Sequence, residues 1–144
     1  MILMSVVGFN FTKIDVDKKS AARGKINIKN NISIKEVAET DLSFGTNTQS
    51  GLRFLFEYTS LYEPDIGQIM LIGEVLYLEE SKKAKEIVKR WKKDKSLAPE
   101  LIREIINTAL TKCNIQALIL SQYVNLPPPM PLPKVGVKPK EYIG

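Results

Sequence analysis

Histidine is absent from the 144 residues, and cysteine and tryptophan occur once each. The first absence removes the commonest general base, the commonest metal ligand and every catalytic triad built on imidazole. A lone cysteine, Cys113, excludes an intramolecular disulfide, and without histidine it leaves zinc no ligand set. Cys113 falls inside an apolar helical pattern, where it reads as a small buried hydrophobe. Such sparse cysteine usage fits a reducing compartment. Neither phosphate-binding glycine motif, G-x-x-x-x-G-K-S/T nor G-x-G-x-x-G, occurs. No apolar run approaches the ~20 residues that cross a bilayer. The opening "MILMSVVGF" lacks the basic start, long apolar stretch and small-residue cleavage site of a signal peptide, and reads as the approach to an edge strand. The carboxylates Glu36, Glu39 and Asp41 cluster before a loop-like segment, where acidic residues are ordinarily solvated surface. The expectation is a soluble, cytoplasmic binding protein, with no enzymatic reaction, no cofactor, no metal and no membrane insertion.

What is present has the size of one domain, about two-thirds of whose unfolded surface is buried on folding. The first half alternates with period two: Phe9 and Phe11, Ile14 and Val16, Ile26 and Ile28, Ile32 and Ile34, as in strands with one wet face. "KSAARGK" (19–25) is a basic turn, and the pair Asn30 and Asn31 marks a bulge or a tight turn. "SFGTNTQSG" (43–51) has the composition of a loop. Two richer strands follow. In "LRFLFEYTSLY", Leu52, Phe54, Phe56 and Tyr58 share a face; in "IGQIMLIGEVLYL", Ile69, Leu71, Val75 and Tyr77 oppose Met70, Ile72, Leu76 and Leu78. That second strand needs cover on both sides. Helices supply one cover, and the other calls for a subunit, a ligand or a client.

The second half is helical. "SKKAKEIVKRWKKDK" (81–95) places Ala84, Ile87, Val88 and Trp91 on a narrow apolar stripe. Pro99 and Glu100 open a second helix, since proline loses nothing at the first helical position and a carboxylate suits the dipole there. Ile102, Ile106, Ala109, Cys113, Ala117, Leu120 and Val124 then step along one face to about residue 124. The part "IQALIL" is apolar nearly all round and calls for burial on more than one side. An α+β domain follows, an antiparallel sheet and then helices, assembling with copies of itself.

Residues 81–95 carry eight basic residues against two acidic ones, a net +6 where the whole chain has +5. Such a helix can track phosphates, with Lys89, Arg90, Lys92 and Lys93 as the nucleic-acid contacts and Trp91 stacking on a base. Alternatively Trp91 faces the core and the lysines solvate an amphipathic helix. "NLPPPMPLP" (125–133) also has two readings: a strap in polyproline II docked on its own domain, or a ligand offered to an aromatic groove elsewhere. Leu126, Met130 and Leu132 favour the strap.

These residues resemble the secretion chaperone family SecB. Gly67-x-Ile69-x-Leu71-x-Gly73 is similar to that family's Gly-x-Phe-x-Ile-x-Gly strand, "FLFEY" (54–58) to the run before it, and "PELIREIINTALTKCNIQALIL" with "NLPPPMPLP" to its long helix and the proline-containing loop beyond. The resemblance spans residues 6–133. It implies one domain over 1–133 with a tail at 134–144, and a four-stranded antiparallel sheet with C-terminal helices packed on it. It also implies a homo-oligomer, dimer or tetramer. The function implied is that of an ATP-independent holdase for unfolded, extended or nascent polypeptides, in protein export. The proline strip would wall an apolar groove built on the second face of the sheet. Phe54, Phe56, Tyr58, Leu126, Met130 and Leu132 would touch clients, the alternative for all six being core or an oligomer interface. Members of that family are markedly acidic and dock a basic translocation motor, a partner this basic chain does not share by implication. The competing reading is an RNA- or ribosome-associated protein using the 81–95 helix.

Overall fold

The period-two segments pair into one sheet. The computed structural model describes residues 6–21, 23–44 and 47–131; the tail at 134–144 lies outside them. Strands β1 (Val6–Lys18), β2 (Asn27–Phe44), β3 (Asn47–Glu63) and β4 (Gly67–Leu78) are followed by helices α1 (Ser81–Asp94) and α2 (Pro99–Tyr123). Every pairing is antiparallel, in the order β1-β4-β3-β2. The fold is therefore the α+β arrangement expected, with β2-β3-β4 a meander and β1 returning beside β4. The link from β1 to β2 passes the β3–β4 turn, where the Lys19 and Ser20 N–H groups both reach the Ile66 carbonyl (2.7 and 3.3 Å).

One face of the sheet carries the core. Leu52, Phe54, Phe56, Tyr58, Ser60 and Tyr62 of β3 alternate with half-exposed neighbours, and Ile69, Leu71, Val75 and Tyr77 of β4 lie beside them, all buried. Helix α1 covers this face with Ala84, Val88 and Trp91, the stripe read from the sequence. Helix α2 covers it with the centre of the expected stripe, Ala109, Cys113 and Ala117, and departs from it at both ends. Its buried residues are Ile105, Ala109, Cys113, Ala117 and Ser121, whereas Ile102 is exposed and Ile106 and Leu120 are half-buried. The reason is volume. The sheet presents four aromatic rings along β3, so the helix lies close only where its own side chains are small, and the rings fill the space between. Full burial of each such ring contributes about 1.5–3 kcal/mol.

Two glycines of the Gly-x-Ile-x-Leu-x-Gly segment are explained by close approach. A Cβ on Gly67 would meet the Asp17 backbone, and one on Gly73 would meet the Asn10 carbonyl and the Phe56 ring. Only glycine lets β1 pass there and Phe56 lie across β4.

Two expectations are corrected. Residues 43–44 and 47–51 are not a loop: β2 and β3 stay paired from Asp41↔Ser50 to Phe44↔Asn47, forming a ribbon beyond the other strands on which Asp41, Ser43, Thr48 and Gln49 are exposed. Nor do Asn30 and Asn31 turn the chain. They sit within β2 opposite Ser60 and Thr59, and the register shift falls later, between Ile34 and Glu36.

Candidate functional site

The proline strip is a strap, and its path follows from the end of α2. Asn125 adopts the left-handed conformation (φ 55°) that asparagine tolerates, and the Leu126 N–H turns back to the Ser121 carbonyl at 2.8 Å. Leu126 is thereby tucked into the core, 5 % exposed. Residues 127–129 have no N–H to donate, so the sheet must anchor them through their carbonyls. It does so twice: the Tyr62 hydroxyl donates to the Pro127 carbonyl at 2.6 Å, and the Asn30 amide donates to the Pro129 carbonyl at 2.7 Å.

Asn30 is itself fixed. The Ser60 hydroxyl donates to its Oδ1 at 2.6 Å. Ser60 has a single hydroxyl hydrogen, so its 2.8 Å contact with Tyr58 is completed by the tyrosine O–H. Burial holds Tyr62 well above the ordinary tyrosine range, with Tyr58 adding to the effect, and burial likewise raises Tyr58 against the opposing Ser60 bond. Both rings therefore remain neutral donors across the physiological range, and the anchor does not titrate there.

Between strap and sheet edge runs an open groove of about 600 Å³, lined by Ile26, Ile28 and Asn30 on one side and Pro128, Pro129, Met130 and Pro131 on the other. β2 is an edge strand along this side. The lining offers van der Waals contact to apolar side chains, with one amide.

The residues proposed from sequence for client contact separate. Met130 lines the groove and Leu126 is buried beneath the strap's start. Phe54, Phe56 and Tyr58 are fully buried under the helices, so the core alternative describes them. Leu132 lies outside the described residues. Ile26 and Ile28 were read only as strand residues. Their role depends on the strap lying alongside, a contact of high sequence separation that no local pattern records. The placement of the groove on the second face is likewise corrected. Tyr62, Ser60 and Asn30 all point to the helix-covered side, so the strap lies on that side.

The second face is open and is not uniformly apolar. Leu55, Met70, Ile72, Leu76 and Leu78 are half-buried there. A polar row crosses them on all four strands: Asn10 donates to Glu74 (3.4 Å), and Arg53 bridges Glu74 (3.4 Å) and Glu36 (3.6 Å). Among the described residues nothing covers the outer side of α2, where Ile115 is 57 % and Tyr123 78 % exposed, so they do not supply the second-side burial expected for "IQALIL".

On α1, Trp91 is turned into the core, and Lys95 caps its ring at 5.3 Å. Lys89, Lys92 and Lys93 face water, whereas Arg90 donates through Nε to Ser96 at 2.8 Å and borders a cleft of about 370 Å³ against α2. That cleft also holds Tyr77, whose hydroxyl donates to Glu104 at 3.3 Å and is pushed up to about 12 by burial, Glu104 and Glu79. No helix among the described residues is long and apolar enough to cross a membrane.

No family model and no curated protein matches the sequence. The fold does have a solved counterpart. The chain is similar to the Mycobacterium tuberculosis SecB-like chaperone Rv1957, solved in complex with a ChAD peptide from the Rv1956 HigA1 antitoxin. The TM-score is 0.54 at 11 % identity, over 94 % of this chain and 92 % of that one. The protein thus has a SecB-like fold.

Proposed function

We propose that the protein is a SecB-like holdase, binding unfolded or extended polypeptides without ATP in the groove between β2 and the proline strap. The observation that carries this reading is an open apolar channel, one wall of which is a preformed strap fixed by the Tyr62 and Asn30 hydrogen bonds. Such a wall offers apolar surface whose prolines carry no N–H, and Met130 adapts its shape to different side chains. The SecB-like fold and its peptide-bound counterpart support polypeptide binding in general. We assign it to the cytoplasm as a homo-oligomer, dimer or tetramer, that holds chains bound for export and acts as a binding protein without catalysis. The uncovered outer side of α2 and the open sheet face are the surfaces such assembly would use.

The test is suppression of aggregation of a chemically unfolded client, with the mass followed by light scattering. The parent protein is expected to suppress at near-stoichiometric ratio. Met130→Asp and Ile28→Asp should each weaken binding of an apolar peptide at least ~10-fold, since a carboxylate placed against apolar surface costs more than ~1.4 kcal/mol, and should leave the mass unchanged. Parent-like binding by both variants would remove the groove from the reading.

A further inference from the structure

We infer that the solvent face of α1 is a docking surface for the phosphate backbone of double-stranded RNA. At 3.6 residues per turn, Lys82, Lys85, Lys89, Lys92 and Lys93 fall within about a 100° sector that begins about 40° round from Val88 and turns away from the buried stripe. All five are exposed. No carboxylate of the helix lies in that sector. Glu86 borders it about 20° beyond Lys93 and Asp94 stands further round, and Lys85 is ion-paired with Glu39 of β2 at 3.2 Å across an exposed pair. The stripe is about 16 Å long at 1.5 Å per residue. One strand of a duplex presents several phosphates over such a length. A line of point charges matches one backbone strand and carries no fork geometry with which to read bases.

The burial pattern selects among polyanions. An interfacial membrane helix needs an apolar side free to enter the lipid, and here that side is spent on the core. Single strands are held on exposed aromatic rings, and Trp91 is buried and capped by Lys95. A duplex needs neither. The choice of RNA over DNA rests on the holdase reading, because unfolded chains arise where structured RNA surrounds their synthesis. The stripe and the groove also occupy opposite ends of β2. Ile28 pairs with Tyr62 and Glu39 with Leu52, ten residues apart on β3, or about 33 Å at 3.3 Å per residue. Both sites can be filled at once.

The experiment is titration of the full chain with a labelled RNA hairpin stem at several salt concentrations. The same-sequence DNA stem, anionic phospholipid vesicles and polyglutamate are run alongside, and apolar-peptide binding is measured on the same preparation. The parent should bind the RNA stem with a log–log salt slope of up to about −4.5, following −0.9 per neutralised phosphate. The combined variant Lys85→Gln, Lys89→Gln, Lys92→Gln and Lys93→Gln should lose at least ~10-fold in affinity and keep a slope of about −1, with peptide binding unchanged. A flat parent slope, or a variant that binds like the parent, overturns the surface. Equal or tighter binding of the DNA stem, vesicles or polyglutamate overturns the choice of RNA. Loss of peptide binding by the parent with stem binding intact defeats the holdase reading and leaves this surface standing.

Discussion

The two faces of this sheet are built from the same strands by opposite rules. On the covered face, β3 and β4 present rings and branched aliphatics to a helix whose buried stripe narrows after Ile105 to Ala109, Cys113, Ala117 and Ser121. Among the described residues no buried side-chain nitrogen or oxygen is left without a partner: Tyr58 and Ser60 bond each other, Ser60 reaches Asn30, Tyr62 the strap, Tyr77 Glu104 and Ser121 the Leu118 carbonyl. On the open face, aliphatics of similar size stand half-exposed, crossed by the row Asn10–Glu74–Arg53–Glu36. Apolar composition alone does not make a core. What separates the faces is whether a second layer fits closely enough to expel water.

The sharpest way to break the comparison is to remove equal bulk from each side. Ile69→Ala should cost about 2–5 kcal/mol, because the side chain is fully buried on the covered face. Ile72→Ala should cost about 1 kcal/mol or less. Urea denaturation midpoints distinguish them, and equal losses would mean that the open face is sealed in solution. A second, intermediate effect comes from pH. The raised groups Tyr58, Tyr62, Tyr77 and Cys113 all belong to the covered core, held up chiefly by burial. A group raised in the folded state supports folding fully below its unfolded value and loses that support as pH climbs through the folded one. Stability should therefore begin to fall near pH 9, where an unfolded Cys113 ionises, fall faster above pH 10 as the tyrosines follow, and continue to about pH 12. Denaturation midpoints that stay flat from pH 8 to 12 would show the rings hydrated. The smallest effect belongs to Arg53→Met on the open face, expected to change stability by less than ~1 kcal/mol, as partly exposed ion pairs do. A larger loss would again reveal a cover.

Much of this was legible in the sequence because local periodicity survives tertiary packing. The strands of residues 6–78 follow period-two alternation, the α1 stripe of Ala84, Val88 and Trp91 follows 3.6-residue spacing, and Pro99 opens α2. Where expectation and structure part, a long-range fit decided. Hydrophobicity ranked Ile102 and Ile106 above Ser121, while the sheet's rings reward small volume and so select the opposite. Loop-like composition at 43–51 gave way to a ribbon in which residues 43, 44 and 47–50 pair across the two strands, so the backbone is satisfied whatever the side chains. The side of the sheet on which the strap lies depends on Asn30 and Tyr62, separated from their proline partners by 99 and 65 residues. No pattern in "NLPPPMPLP" contains that choice.

The rings of Pro127, Pro128 and Pro129 fix their torsions before folding begins, so little freedom is lost when the strap docks. Stiffness keeps its line between the points where it is held down: Leu126 in the core, and the Pro127 and Pro129 carbonyls on Tyr62 and Asn30. Three closely spaced fastenings are thus enough to set the course of a whole channel wall, because the links between them cannot bend.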